Sequence, residues 1–146
     1  MEMKLNEIQG LLKSNDEEVR RSALQLLKGT PLVESLGIIF IAMGDESWRV
    51  RKESVEAFVN ASPDEIAIEK LLELLRCEDN AGLRNSAAEA VIHLGTAATL
   101  PLIRMVNDPD ADVRKFIVDL MGALRDPSFV QHLLNALTDT DVNVAA

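Results

Sequence analysis

The chain has little of what most sites of chemistry are built from. It holds one cysteine, two histidines, one tryptophan and no tyrosine, and aromatics make up 3% of its 146 residues. A single cysteine, Cys77, forms no internal disulfide, so covalent stapling contributes nothing to the fold. The N-terminal "MEMKLNEIQG" lacks the basic, apolar, small-residue order of a signal peptide, and no apolar run looks long enough to span a bilayer, so we expect a cytoplasmic chain without a membrane partner. Positive charge is also scarce. Lys and Arg number 15 against 24 Asp and Glu, and the net charge of −9 repels phosphate backbones, which argues against nucleic acid as a partner. What is abundant is Leu, Ala, Val and Ile, a composition suited to helix-on-helix packing.

That aliphatic content is arranged in copies. "DEEVRRSALQLL", "SWRVRKESVEAF", "NAGLRNSAAEAV" and "DADVRKFIVDLM" place Arg20, Arg51, Arg84 and Arg114 at intervals of 31, 33 and 30 residues, each after a Val or Leu. A fifth copy, "DTDVNVAA", has Val144 at the valine place and Ala145 where arginine would stand. Four residues before each arginine place is a side chain able to accept from free backbone N–H groups: Asp16, Ser47, Asn80, Asp110 and Asp141. These predict five N-caps. After the arginine, apolar residues recur at helical spacing, as in Ala87, Ala88, Val91 and Leu94, and define a helix B; a second apolar run before the loop, such as Leu72 to Leu75, defines a helix A. Gly29, Gly95 and Gly122, with Pro31, Pro63, Pro101 and Pro127, punctuate helix ends or links. The prediction is one domain, residues 1–146, of helix pairs over about 4–29, 31–61, 64–95, 97–124 and 127–146, the last incomplete. Because the chain stops inside this fifth helix B, we expect either the N-terminal part of a longer repeat protein or a frayed last helix.

A hairpin of about 30 residues with Asp-x-x-Val-Arg-x-x-Ala opening its second helix resembles the short HEAT-like repeat, the type also found in phycobilin lyases, and the resemblance covers essentially the whole chain. It implies an all-α, right-handed superhelical solenoid of stacked antiparallel helix pairs, with helix B on the inner surface. It also implies a ladder in which Arg20, Arg51, Arg84 and Arg114 bond the loop acids Asp45, Glu78, Asp108 and Asp139 of adjacent repeats. Ser47 and Asn80 at the cap, Leu83 for valine and Ala145 for arginine depart from the pattern.

The acid-rich loop of the fourth copy has a rival reading. Asp108, Asp110, Asp112 and Asp119 occupy the first, third, fifth and twelfth places of an EF-hand-like loop. Val113 stands where that loop needs its glycine, and position twelve is Asp rather than Glu, so we read Asp110 as a cap, Asp112 as a first-turn acid and Asp108 as a ladder residue. His93 and His132 begin no His-Glu or HExxH pair, which also departs from the iron motifs of HEAT-type hydroxylases. Cys77 reads as a half-buried apolar residue in acidic surroundings. No catalytic residue, metal ligand or cofactor is expected.

What remains is surface. Just after each arginine come Arg21, Lys52, Asn85 and Lys115, and four residues later Gln25, Glu56, Glu89 and Asp119. Stacked, they form a basic-to-neutral column beside an acidic one, either as i,i+4 surface pairs or as a striped face that selects a partner. Trp48 and Phe116 occupy first-turn places that elsewhere hold small or polar residues, so both are expected to be exposed. Trp48 is then either an interface anchor or a ridge between repeats. Met3, Met43, Met105 and Met121 read as core filler. The function expected is a non-catalytic protein-interaction scaffold working through helix B, as a monomer or as a weak dimer through exposed solenoid ends. The alternative is a subunit resembling the bilin lyases, or a chaperone, that holds a tetrapyrrole and its acceptor protein.

Overall fold

A computed structural model describes residues 4–146. The described residues form ten α-helices and no strand: α1 Leu5–Leu11, α2 Glu17–Gln25, α3 Leu32–Met43, α4 Trp48–Asn60, α5 Glu65–Glu73, α6 Ala81–Leu94, α7 Thr99–Met105, α8 Ala111–Leu124, α9 Val130–Ala136 and α10 Val142–Ala145. Short 3-10 turns at Leu74–Arg76, Gly95–Ala98 and Pro127–Phe129 join or extend them. Each even helix begins at a side-chain cap. Asp16 accepts from the Glu18 N–H, Ser47 from Arg49 and Val50, Asn80 from Leu83, Asp110 from Asp112 and Asp141 from Asn143. Each cap satisfies donors that the first helical turn leaves free.

Two layers result. The even helices pack on one another in order, α2 on α4, α4 on α6, α6 on α8 and α8 on α10, while α3 stacks on α5 and α5 on α7. This is an α solenoid. Its core is one apolar cluster running from Ile8 to Phe129 between the layers, with Met43, Val50, Phe58, Leu72, Val91, Ile117 and Met121 fully buried. Met43 and Met121 thus fill core and Met105 is half-buried, whereas Met3 lies outside the described residues.

One expectation needs correction. Residues Ala81–Met105 form a 25-residue helical stretch of hydropathy 1.3, long and apolar enough to cross a membrane by length and composition. Gly95, at φ 59°, breaks it with a conformation other residues rarely adopt. The two pieces then enter different layers, α6 against α4 and α8, and α7 against α5 and α8. Pro101 sits in the first turn of α7, where its missing N–H costs no helical bond.

Candidate functional site

The four arginines that open the even helices behave in two ways. Arg20 is buried, and its Nε donates to Asp45 Oδ2 at 3.0 Å while Nη1 donates to the Ser14 carbonyl at 2.9 Å. Arg114 repeats this geometry, with Nε 2.9 Å from Asp139 Oδ2 and Nη1 2.9 Å from the Asp108 carbonyl. In both, the guanidinium fork closes one hairpin onto the loop of the next, the bidentate arrangement that arginine geometry favours. The other two do not follow the expected ladder. Arg51 donates to the Asp45 and Glu46 carbonyls at 2.7 and 3.1 Å and lies across Gly82, where a Cβ would come within 3.3 Å of its side chain. Its expected partner Glu78 is exposed and makes no hydrogen bond or ion pair among the described residues. Arg84 donates to the Cys77 carbonyl and sits 5.9 Å from the Phe116 ring centroid. Asp108, assigned by sequence to Arg84, is held by Arg76 instead.

The acid-rich loop is accounted for by these contacts. Asp108 accepts from the Asp110 N–H at 2.9 Å as well as from Arg76, Asp110 caps α8, and Asp119 pairs with Lys115 at 3.3 Å. The Arg76 hydrogen bond holds the Asp108 carboxyl below the ordinary carboxylate range, and Arg114 does the same for Asp139.

On the exposed side of the even helices, four of the sequence candidates converge. Arg21, Trp48, Lys52 and Glu56, joined by Arg49 and Glu53, line a shallow cavity of about 210 Å³ between α2 and α4. Trp48 is 60% exposed, with the Arg49 guanidinium 5.4 Å from its ring. Arg21 is anchored by Glu18 at 2.9 Å and lies 3.9 Å from Glu53, to which Gln25 also donates at 3.0 Å. Arg49 reaches Glu17 at 3.6 Å. Glu89, Lys115 and Asp119 are exposed further along the stack, where Glu89 faces His93 at 3.7 Å. Phe116 departs from expectation: it is half-buried and packs against the apolar core, because its position faces the neighbouring helix and the Arg84 side chain rather than solvent.

Several residues escaped the sequence reading. Arg49 and Glu53 complete the Trp48 cavity, and their signal was available as charges one turn from flagged ones. Arg76 stands where the other copies hold Leu12, Met43, Val106 and Leu137, a visible break in an apolar column. Asn80 caps α6 and also donates from Nδ2 to the Gly44 carbonyl at 3.1 Å, in space that a Cβ on Gly44 would fill at 2.8 Å. Ser86, buried, donates to the Met43 carbonyl at 2.8 Å.

Two solved structures are similar to the chain. A designed armadillo repeat protein in complex with the peptide (KR)4 is 22% identical, with 97% of this chain and 77% of that one covered at a TM-score of 0.45. An engineered protein is 20% identical, with 98% and 76% covered at 0.40. No curated protein sequence matches the chain. The family model for HEAT repeats matches residues 8–92, more than half of the 146 residues. The chain belongs to the HEAT repeat family.

Proposed function

We propose that the chain is a non-catalytic scaffold that holds a protein partner on the face made by its even helices. The observation that carries this reading is Trp48. A large aromatic kept 60% exposed, with the Arg49 guanidinium 5.4 Å from its ring, leaves apolar area in water that a partner would cover, and aromatics in such settings supply a disproportionate share of interface energy. Charges of both signs surround it, Arg21, Arg49 and Lys52 beside Glu53 and Glu56, an arrangement that fixes a partner's register and speeds encounter more than it adds affinity. The non-catalytic part of the reading rests on the state of the reactive side chains. The Cys77 thiol is engaged locally, donating to the Asp79 carboxylate at 3.1 Å. His93 lies exposed on α6 beside Glu89.

The test compares immobilised wild type with a Trp48→Ala variant and a Lys52→Glu, Glu56→Lys variant, each matched to wild type in circular dichroism and melting midpoint. A protein retained from the source cell's lysate by wild type and lost by both variants supports the reading. Equal retention by all three places the interface elsewhere on the molecule. Since Trp48 is the only tryptophan and tyrosine is absent, its emission reports occupancy of this face directly once a partner is in hand.

A further inference from the structure

The last turn of α4 has no helical neighbour in the first hairpin. α2 ends after nine residues, whereas α4 runs thirteen and α6 and α8 fourteen. Leu26 to Lys28 tighten into a turn, and Gly29 at φ 85° carries the chain away toward α3. The missing turn leaves a cavity of about 490 Å³, within the range of ligand pockets. Leu24, Leu27, Ile39 and Ala57 give it an apolar lining, and Lys28, Glu53 and Glu56 add charge. Glu53 and Glu56 also line the cavity beside Trp48, so the two cavities adjoin and together form a groove along α4 with these side chains at their junction. From Trp48 to Asn60 the helix rises about 18 Å at ~1.5 Å per residue. That is the reach of about five or six residues of extended peptide.

The groove's charges come in order. Arg21 and Arg49, at the Trp48 end, are already engaged by Glu18 and Glu17. Gln25 and Arg21 occupy Glu53. Lys52 and Glu56 have no ion-pair partner among the described residues, and neither does Lys28 at the far end. Lys52 and Glu56 are one helical turn apart, about 6 Å, and past Glu56 the wall that α4 gives the larger cavity turns apolar at Ala57 and runs on to Ala61. An extended chain repeats a face every two residues, about 6.6 Å. The Lys52–Glu56 spacing and a strand's spacing therefore match.

Resting on the scaffold reading above, we propose that this groove takes an extended segment of the partner protein bearing, at alternate residues, an acidic side chain over Lys52, a basic one against Glu56 and one large apolar side chain in the cavity. The geometry is indifferent to which end of the segment carries the acid.

The test is a random library of seven-residue peptides displayed on phage and selected on the full chain, on Glu56→Lys, on Ala57→Leu and on Trp48→Ala. Wild type should enrich peptides with a basic residue two positions from a large apolar one. Glu56→Lys should exchange that basic residue for an acidic one, and Ala57→Leu, which fills part of the cavity, should lose the apolar preference while keeping the charge preference. Replacing the apolar anchor by Ala in a synthetic copy of an enriched peptide should weaken Kd about ten- to hundredfold on wild type and far less on Ala57→Leu. Glu56→Lys lies on the surface, so the charge exchange is readable even if Ala57→Leu folds poorly. Peptides that depend on Trp48 but ignore Glu56 and Ala57 overturn this assignment and leave the scaffold face standing. Peptides that ignore all three, or no enrichment at all, overturn it as well.

Discussion

The first and last junctions of the stack are closed by the arginine that opens an even helix and an aspartate of the next loop; the third is closed by Arg76 and Asp108 instead, and the second by no such pair among the described residues. At the first, Asp45 does two jobs: it accepts the Ser47 N–H at 2.8 Å, forming a tight local turn, and receives Arg20 from the preceding hairpin. At the last, Asp139 accepts the Asp141 N–H at 2.8 Å and receives Arg114. Glu78 occupies the equivalent place at the second junction with one more methylene, a length poorly suited to the short backbone turn that Asp and Asn form. It leaves both jobs undone. At the third junction Asp108 keeps the turn, but Arg76, an arginine in an otherwise apolar column, takes its outer contact and Arg84 retreats to the Cys77 carbonyl. The difference teaches that a rung requires a short carboxylate in the loop as well as the arginine, and that one extra cation is enough to rewire it.

The comparison breaks most severely at Arg20. Arg20→Met leaves Asp45 facing the interior of the junction without its partner and should lower the melting midpoint by about 6 °C or more, whereas Arg51→Met, which loses contacts to carbonyls, should cost about 2 °C. Equal losses in a thermal melt would mean that the closed rung contributes no more than the open one. The central junction depends on other bonds, so Ser86→Ala should cost about 1–2 kcal/mol by freeing the buried Met43 carbonyl. Urea titration should show a lower midpoint with an unchanged slope. A null result would move the holding force of this junction to packing of α6 on α4.

Acid should separate the junctions more gently. Asp108 and Asp139 have carboxyls held below their ordinary value of 3.8, chiefly by hydrogen bonds from Arg76 and Arg114. A depressed folded value means that their contribution is complete above the unfolded value and is lost as pH falls through the folded one. Stability should therefore hold to about pH 4 and decline below it. Asp108→Asn should flatten that decline in melts taken between pH 2 and pH 5. A decline of the same steepness in the variant would assign the acid response to other carboxylates.

The repeat, the five caps and the apolar stripes were all legible in the sequence because each depends on residues within a few positions of one another. Asp16, Ser47, Asn80, Asp110 and Asp141 are local signals, and the helix starts follow from them. The wiring between hairpins was half legible. Position in the repeat identified Arg20 with Asp45 and Arg114 with Asp139, but it could not weigh a Glu against an Asp in a turn two residues long, nor the competition of Arg76 for Asp108. The candidate face was legible at Trp48, Arg21, Lys52 and Glu56 through their repeat positions. Phe116 was misjudged because a place that tolerates Ser22 and Glu53 in two hairpins is covered in the fourth. The large cavity had no sequence signal beyond the short spacing from Arg20 to Gly29, since it arises from a turn that α2 lacks.

The smallest expected effect tests the rule most directly. Glu78→Asp restores the shorter carboxylate at the second junction without touching the core. If side-chain length is what opens this rung, Asp at 78 can accept the Asn80 N–H, as Asp45 accepts that of Ser47, and offer its second oxygen to Arg51. The gain should be about 0.5–1 kcal/mol, the worth of one or two partly exposed hydrogen bonds, read as a melting midpoint about 2–3 °C higher. Arg51→Met should then cost more in the Glu78→Asp background than in wild type, since the two residues would share an interaction they lack now. An unchanged midpoint and an additive cycle would mean that the position of Arg51 across Gly82, rather than the length of residue 78, keeps the rung open; in that case Gly82→Ala, which pushes Arg51 aside, is the substitution that should close it.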